Sequence, residues 1–266
     1  CSARELGISD EHGGLYALPD SAPVGADIRQ HLGLDDTVYV IKLTPNRADC
    51  LSLAGVAREV AALTDLPLTM PASAPVEPTI DDRRVIALDA PESCPRFCGR
   101  ILQGVNARAN TPEWMVRRLE RCGIRAISAL VDITNYVMLE LGQPLHAYDN
   151  DRLDGTIHAR MAQPGEKLLL LNEQVIDLAA GTLVIADDAR VLGMAGIMGG
   201  EESGISLDTR NVFLEAAYFT PDAVAGRARE YGFGSDASHR FERGVDFALS
   251  PVAIERATAL ILERSE

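Results

Sequence analysis

Apolar residues recur along this chain in short blocks, and the spacing within each block predicts its secondary structure. Alternation of apolar and polar positions predicts strands, whereas apolar positions three or four residues apart predict amphipathic helices. The predicted strands cover residues 38–43, 85–90, 97–105, 156–160, 167–171, 174–177, 182–186, 191–198 and 212–217. The predicted helices cover residues 50–64, 111–121, 129–141, 223–231 and 251–263.

Residue types at the element ends refine two of these helices. Asp49 is the predicted N-cap of helix 50–64, whose apolar face is formed by Leu53, Val56, Val60 and Leu63. Thr111 is the predicted cap of the next helix, with Pro112 in the first helical position. This second helix is expected to stop before Gly123.

A proline-rich stretch divides the chain into a shorter and a longer part. Residues 67–78, PLTMPASAPVEP, hold four prolines, which prevent a regular helix and favour an extended linker. Beyond this boundary, strands occur in runs with helices beside them, without a regular βαβ alternation. This order predicts an α+β fold.

Composition narrows the function classes. The chain has 266 residues, 47% of them hydrophobic, and a net charge of −14, which suits a soluble globular protein but not a broad nucleic-acid surface. Any RNA contact is therefore expected to be local or to come from parts of the protein outside this sequence. No apolar run approaches 18 residues, so no membrane span is expected, and no secretory leader opens the chain, although a start at Cys1 without Met would hide one.

The five cysteines, an odd and unclustered set, suit a reducing cytosol better than a disulfide framework. Cys94 and Cys98 are four residues apart, but no second Cys or His pair lies near them in the sequence. We therefore expect no zinc site at these two cysteines, and no other metal site.

The most charged stretch is SDASHRFERGVD, residues 235–246. It contains no Lys, and Arg240 and Arg243 flank Glu242, so it is either a solvated helix face or a site of binding or buried ion pairing. Because its charges balance, we expect Arg240 and Arg243 to pair with Glu242, Asp236 or Asp246 rather than with phosphate.

Polar or small residues interrupt several apolar elements. Thr134 and Asn135 lie inside an apolar helix, where both compete with helical hydrogen bonds, and they are either satisfied core residues or functional ones. Glu215 interrupts an apolar strand, where it either turns to solvent or is buried at a cost. The glycines of GIMGGEE, residues 196–202, allow close backbone approach but do not match a dinucleotide-binding loop.

Five segments, taken in order, resemble the β subunit of bacterial phenylalanyl-tRNA synthetase. They are LTPNRADCLSLAGVAREVAAL (43–63), VDITNYVMLELGQPLHAYD (131–149), AGIMGGEESGI (195–205), LEAAYFTPDAVAGRAR (214–229) and SDASHRFERGVD (235–246). The resemblance implies an internal piece of that subunit with a layered β core and flanking helices. The implied domains are the end of an OB-fold tRNA-binding domain (1–36), a partial small α+β domain of the B1 type (37–72), a linker (73–80) and a B3/B4 editing domain (81–266).

The resemblance also implies an activity, the hydrolysis of mischarged Tyr-tRNA(Phe) by a positioned water. In this family His146, Asn135 and Thr134 correspond to catalytic positions, with His146 and Asn135 orienting the water. Glu215 would accept a hydrogen bond from the tyrosine hydroxyl, while Gly199, Ser235 and Ala237 would line the pocket. Ser235 replaces the threonine that is common in the family. We therefore expect these seven residues to face one cavity.

The implied partners are tRNA(Phe) and the synthetase α subunit, in an (αβ)₂ heterotetramer of the cytoplasm. No cofactor is expected in this piece, because the resemblance places ATP and Mg²⁺ at the aminoacylation site of the α subunit. Two alternatives belong to other classes. A non-catalytic scaffold that binds tRNA or the α subunit would not require Glu215, and an independent metallohydrolase would require a ligand cluster that the sequence lacks.

Overall fold

The computed structural model describes residues 1–8, 12–71 and 74–265, and the chain divides into two compact units, Cys1–Ile41 and Lys42–Glu266. The first unit contains the short helix α1 (Ile28–His31), which the Asp27 side chain caps by accepting a hydrogen bond from the backbone of Arg29. The strand predicted at 38–43 is not formed. Its alternating residues have no partner strand in the described part of the chain, and Val40 is left fully exposed.

The second unit begins with a 3₁₀ turn (Ala48–Cys50) and helix α2 (Leu53–Thr64). The predicted cap at Asp49 was wrong: the carboxylate of Asp49 binds Arg47, and Ser52 caps the helix by accepting from the amide of Gly55 at 3.0 Å. The predicted apolar face was also not buried, since Leu63 is 82% exposed. The helix instead packs through its first turn, where a side chain on Gly55 would collide with the carbonyl of Asp49.

Helices of the remaining chain are α3 (Glu113–Arg121), α4 (Ala129–Leu141), α5 (Pro221–Val224), α6 (Arg227–Glu230), α7 (Asp236–Phe241) and α8 (Leu249–Ser265). The helix predicted at 223–231 is split into α5 and α6, because Gly226 between them has a left-handed φ of 80°. The predicted cap at Thr111 was wrong as well. Its hydroxyl donates to Asp132 at 2.5 Å, and the N-cap position is occupied by Pro112.

Ten strands in the described part of the chain form three sheets. They are β1 (Ile86–Leu88), β2 (Arg96–Leu102), β3 (His146–Asp149), β4 (Ile157–Met161), β5 (Lys167–Leu169), β6 (Val175–Asp177), β7 (Leu183–Ala186), β8 (Val191–Met194), β9 (Met198–Gly199) and β10 (Val212–Tyr218). The largest sheet has the order β1-β4-β7-β8-β9, the second has the order β2-β10-β3, and β5 pairs with β6. The predicted strand 191–198 is interrupted by a turn between β8 and β9.

Strand β10 lies between two hydrophobic cores, and alternate residues point to each. Val212, Leu214 and Ala216 belong to the core that also contains residues of α3, α4 and α8. Phe213 and Ala217 belong to the core formed with the five-stranded sheet. Glu215 falls on this second face by the two-residue period of a strand. The fold is thus α+β, with layered sheets and flanking helices, as the sequence predicts.

No helix in the described part of the chain is long and apolar enough to cross a membrane.

Candidate functional site

The site is built across the antiparallel pair β3 and β10. The register places Glu215 directly opposite His146, and Phe213 opposite Tyr148. Directly opposed residues of an antiparallel pair point to the same face and approach closely. The two-residue period of both strands therefore brings Glu215, His146 and Tyr148 together, and it turns all three away from the helical layer.

These side chains open into a cavity of about 70 Å³, large enough for several water molecules. Four of the seven predicted site residues line it, namely His146, Gly199, Glu215 and Ala237. The other lining residues are Pro144, Leu145, Tyr148, Ile185, Gly193, Met194, Ala195, Gly196, Ile197, Met198, Phe219 and Phe241. The wall is therefore largely apolar, with few polar groups converging on the cavity, as is typical of a small-molecule site.

Glu215 is the buried acid of this cavity. Burial raises the pKa of its carboxyl group to about 7, although the hydroxyl of Tyr148, which donates to Oε2 at 2.7 Å, acts to lower that pKa. Tyr148 is itself buried, and burial together with the neighbouring carboxylate raises its pKa well above the usual value. Tyr148 therefore remains a hydrogen-bond donor at neutral pH, while Glu215 is close to its midpoint.

His146 is the second titratable group of the cavity. Burial lowers its pKa to about 4, so the imidazole is neutral at physiological pH. Its ring packs edge-on against the ring of Tyr148, with 4.4 Å between the centroids. Its Nε2 is buried and has no hydrogen-bond partner among the described residues. A buried polar atom without a partner is costly, and at a cavity wall it marks a place where a ligand group can bind.

Gly199 provides the space that His146 occupies. A Cβ atom at Gly199 would lie 2.6 Å from Nε2 of His146, inside van der Waals contact and against a ring that is already packed on Tyr148. The backbone of β9 therefore approaches the imidazole in a way that only glycine allows. The sequence singled out this glycine through the family resemblance, and the geometry gives it a physical reason.

Three predicted residues do not line the cavity. The hydroxyl of Thr134 donates to the carbonyl of Val131 within α4, and Asn135 lies half-buried on the same helix. Ser235 is close to the cavity but behind its wall: its hydroxyl donates to the carbonyl of Ile197 at 2.7 Å and accepts from the amide of Ser238. The predicted catalytic roles of Thr134 and Asn135, and the predicted substrate contact of Ser235, stay predictions.

Tyr148 was missed by the sequence reasoning, although it lies two residues from His146 in the same strand. The signal was available: the period of a strand places His146 and Tyr148 on one face, so a strand that presents one also presents the other. What the sequence did not show was the register with β10, which sets Tyr148 within reach of Glu215.

The charged segment 235–246 is an ion-paired structure, as its charge balance predicts. Arg240 is buried; it bonds the carboxylate of Asp236 at 3.0 Å and the carbonyl of Leu51 at 3.1 Å, and so ties α7 to the turn before α2. Arg243 bonds Glu242 and the carbonyl of His239. The segment thus supports the wall of the cavity that Ala237 and Phe241 form.

Two other features carry less chemistry. Asp49, Cys50 and Glu59 bring three possible metal ligands together, but the guanidinium of Arg47 already binds both carboxylates. A larger groove, of about 610 Å³, lies between residues 76–84 and strand β2. The charged side chains that line it are exposed, as Arg83 is, or bonded, as Arg100 is to Glu255 at 2.7 Å.

Comparisons with known proteins give consistent results. A family model described as B3/4 domain matches residues 93–266. Proteins named phenylalanine–tRNA ligase beta subunit, from Aromatoleum aromaticum and from Dechloromonas aromatica, are each 68% identical over 263 residues, which is 99% of this chain and 33% of theirs. The protein of that name from Cupriavidus pinatubonensis is 57% identical over 32% of its length. The chain thus spans about a third of these curated relatives.

Among solved structures, the chain is similar to an N-terminal fragment of the phenylalanyl-tRNA synthetase β subunit from Pyrococcus horikoshii. The TM-score is 0.39 at 18% identity, over 65% of this chain and 53% of that one. A similarity this low supports no assignment of fold or function.

Proposed function

The chain belongs to the B3/4 domain family, and from this membership and the geometry of the cavity we propose that it is the editing segment of a phenylalanine–tRNA ligase β subunit. The proposed reaction is hydrolysis of the ester bond in mischarged Tyr-tRNA(Phe). The observation that carries the proposal is the buried carboxylate of Glu215, which lies opposite His146 in a largely apolar cavity.

The chemistry of discrimination explains why a buried acid suits this task. A pocket that selects phenylalanine rejects an added hydroxyl only weakly, by about a hundredfold in comparable cases. A second pocket that hydrogen-bonds the hydroxyl discriminates much better, because a phenyl ring would leave the carboxylate buried and unpaired. Glu215 can accept this bond, since a carboxylate has two oxygens and Tyr148 uses only Oε2.

The hydrolytic step needs one water and no covalent enzyme intermediate. The water oxygen attacks the ester carbonyl carbon, and the bond from that carbon to the ribose oxygen breaks. A proton lost by the water is balanced by the proton that the ribose oxygen gains, so the products are tyrosine and the ribose hydroxyl. With its proton on Nδ1, His146 offers an unpartnered Nε2 that can accept a hydrogen bond from this water. A base with a pKa of about 4 removes protons poorly at neutral pH, so we assign His146 the orientation of water.

The remaining roles follow from the family and rest on the same proposal. The substrate tRNA(Phe) would reach the cavity with its acceptor end, and the α subunit would carry the aminoacylation site with ATP and Mg²⁺. We propose an (αβ)₂ assembly in the cytoplasm. Thr134 and Asn135 lie outside the cavity, so a catalytic role for them requires contact with the tRNA rather than with the tyrosine ring.

The test is deacylation of Tyr-tRNA(Phe) and Phe-tRNA(Phe) by the assembled enzyme. Glu215→Ala should slow Tyr-tRNA(Phe) hydrolysis and also weaken the preference for Tyr over Phe, because the carboxylate both binds the hydroxyl and penalises the phenyl ring. Gly199→Trp should abolish hydrolysis of both, since the indole would fill the space of the His146 ring. Aminoacylation should survive in both variants.

Gly14→Trp is the matched control for added bulk. A Cβ atom at Gly14 would meet no other atom within 4 Å, and Gly14 does not line the cavity, so editing should be unchanged. A wild-type enzyme that does not deacylate Tyr-tRNA(Phe) would contradict the proposal and favour a non-catalytic scaffold. Loss of hydrolysis in Glu215→Ala with an unchanged Tyr/Phe preference would show that Glu215 does not recognise the hydroxyl.

A further inference from the structure

Glu215 is proposed to recognise the hydroxyl of the substrate, and it already accepts a hydrogen bond from a hydroxyl of the protein, that of Tyr148. Its O–H donates to Oε2 of Glu215 at 2.7 Å, and both side chains are buried. Within the described ranges, this is the hydrogen bond that reaches the Glu215 carboxylate. A hydrogen bond donated to a carboxylate stabilises the charged form.

The other titratable groups that face Glu215 in the described ranges supply no compensating charge. His146, on the neighbouring strand, is neutral at physiological pH because burial lowers its pKa to about 4. Cys94, from the loop before β2, is a neutral thiol, since burial and the nearby Glu215 raise its pKa to about 12. From α7 the cavity receives the methyl group of Ala237. Tyr148 is thus the described group that opposes the cost of burying the charge of Glu215.

We propose that Tyr148 is a positioning residue that sets the specificity of this site: its hydroxyl holds Glu215 in place as an ionised acceptor, and this charge rejects a phenyl ring. The inference rests on the proposed editing function and deepens it. The substrate class it selects is an aminoacyl ester that bears a phenol, over the same ester that bears a phenyl group.

The ionisation state decides the selectivity for a physical reason. When Glu215 is charged, a bound phenyl ring displaces water from the carboxylate and leaves a charge without a new partner, which is strongly unfavourable. When Glu215 is protonated, the neutral carboxyl group loses much less on contact with a phenyl ring. The preference for the phenol therefore follows the fraction of Glu215 that is ionised.

Tyr148 occupies one oxygen of the carboxylate, Oε2, and does not bond the other. Tyr148 approaches Oε2 along β3, where its ring is fixed between His146, at 4.4 Å between centroids, and Phe213, at 6.2 Å. The hydrogen bond of Tyr148 restrains the rotation of the carboxylate and leaves Oε1 for the substrate. Tyr148 therefore orients the acceptor as well as favouring its charge.

The experiment measures the Tyr/Phe ratio of deacylation rates by the assembled enzyme between about pH 6 and pH 9. The uncatalysed hydrolysis of each ester is measured without enzyme at every pH and subtracted, because this background adds to both rates and does not cancel in their ratio. In the wild type the ratio should rise with pH through a midpoint near 7, because the pKa of Glu215 is about 7. In Tyr148→Phe the midpoint should move up by about one pH unit, and the ratio at pH 7 should fall about fivefold.

Four further variants isolate the cause. Tyr136→Phe is the matched control, since Tyr136 is another buried tyrosine that donates to a glutamate, Glu140 at 2.9 Å, outside the cavity. It should leave the ratio and its midpoint unchanged. Glu215→Gln should make the ratio independent of pH, and adding Tyr148→Phe to it should not restore any dependence. Tyr148→3-fluorotyrosine keeps the ring and donates more strongly, so the midpoint should move down.

The outcomes separate this inference from the proposed function. If the wild type deacylates Tyr-tRNA(Phe) but Tyr148→Phe and Tyr148→3-fluorotyrosine leave the midpoint where it was, the role of Tyr148 is refuted and editing stands. If Tyr148→Phe does not fold, the fluorotyrosine variant decides alone, with an unchanged midpoint counting against the inference. If the wild type does not deacylate Tyr-tRNA(Phe), the editing function fails and this inference fails with it.

Discussion

Glu140 and Glu215 are both buried and both accept a hydrogen bond from a tyrosine hydroxyl, yet their surroundings differ. Glu140 lies on α4 in the helical layer, where Arg256 of α8 binds both of its oxygens at 2.8 and 3.1 Å. Glu215 lies on β10 beside the cavity, where no arginine or lysine of the described residues shifts its pKa.

The difference shows how one fold treats a structural carboxylate and one for which we propose a function. Arg256 provides a countercharge for Glu140, which offsets the cost of burying this carboxylate. The Glu140–Arg256 pair thus links α4 to α8 as part of the helical layer. Burial raises the pKa of Glu215 to about 7, because the Tyr148 hydroxyl is the one group among the described residues that opposes this desolvation. A carboxylate left incompletely paired costs stability, and it keeps an oxygen available for a ligand.

Breaking the compensated pair should have the largest effect on stability. Arg256→Met leaves Glu140 buried without its countercharge, and we expect a loss of about 3 kcal/mol in the free energy of unfolding at neutral pH. Chemical denaturation followed by circular dichroism measures it. Arg100→Met is the control, because Glu255, the partner of Arg100, is more exposed than Glu140. Losing this second pair should therefore lower the free energy of unfolding by less. Equal losses would show that burial does not distinguish the two pairs.

Removing the charge of Glu215 should raise the free energy of unfolding at neutral and higher pH, whereas breaking the Glu140–Arg256 pair lowers it. The folded-state pKa, about 7, lies above the usual 4.5, so the folded protein binds this proton more tightly and loses stability as pH rises from about 4.5 to about 7. Glu215→Gln should therefore stabilise the protein at pH 8, by about 2 kcal/mol after allowing for a weaker bond to Tyr148. At pH 4 it should have no stabilising effect. If Glu215→Gln destabilises the protein at pH 8, the conclusion that the Glu215 carboxylate is incompletely paired is wrong.

The sequence predicted most of the fold that carries this comparison. Helix α4 was predicted with its observed ends, since an apolar run bounded by Ser128 and Gly142 is decided locally. The strand at 38–43 failed because alternation creates a strand only where a partner strand exists. The cap of α2 failed because Asp49 had a competing arginine, a tertiary contact that propensity does not contain. The domain boundaries proposed from the prolines stay predictions.

The site was predicted through family resemblance for residues that physics alone left open. Glu215 could have faced solvent, and only the pairing of β10 with both β2 and β3 buries it. Tyr148 and the close approach of Gly199 to His146 depend on strand register and on the return of β9, which no local pattern encodes. For Thr134 and Asn135 the resemblance predicted too much. These polar residues of an apolar helix were expected at the cavity, and they lie outside it.

Ser235 tests the distinction between a structural and a substrate-binding polar group with a smaller expected effect, because hydrogen bonds within the protein already use its hydroxyl. It forms a capping box with Ser238 at the start of α7 and also bonds the carbonyl of Ile197. Ser235→Ala should lower the free energy of unfolding by about 1 kcal/mol, as is usual for loss of an N-cap. Ser235→Thr keeps the hydroxyl and should retain most of it. Full stability in Ser235→Ala, together with a lost Tyr/Phe preference, would instead support the predicted substrate contact.

Two histidines differ in the same way as the two glutamates, since one has charged partners and the other is buried without any among the described residues. The expected effect on stability is the smallest of those considered. His158 lies between Asp89 at 2.7 Å and Asp188 at 2.9 Å, and these hydrogen bonds, that to Asp188 first, raise its pKa. Burial without a partner lowers the pKa of His146 to about 4. In an NMR titration His158 should therefore change its charge above pH 6.5, and His146 should stay neutral until about pH 4.

The two groups also affect stability in opposite directions. The raised pKa of His158 means that its contribution is fully present below the unfolded-state value and is lost as pH rises through the folded-state value. The lowered pKa of His146 means that stability is lost as pH falls below about 6.5, where the unfolded chain takes up the proton first. Asp188→Asn should lower the midpoint of His158 and leave that of His146 unchanged. If His146 instead titrates near pH 6.5, water reaches its ring freely, and the desolvation on which the proposed selectivity of Glu215 depends is absent.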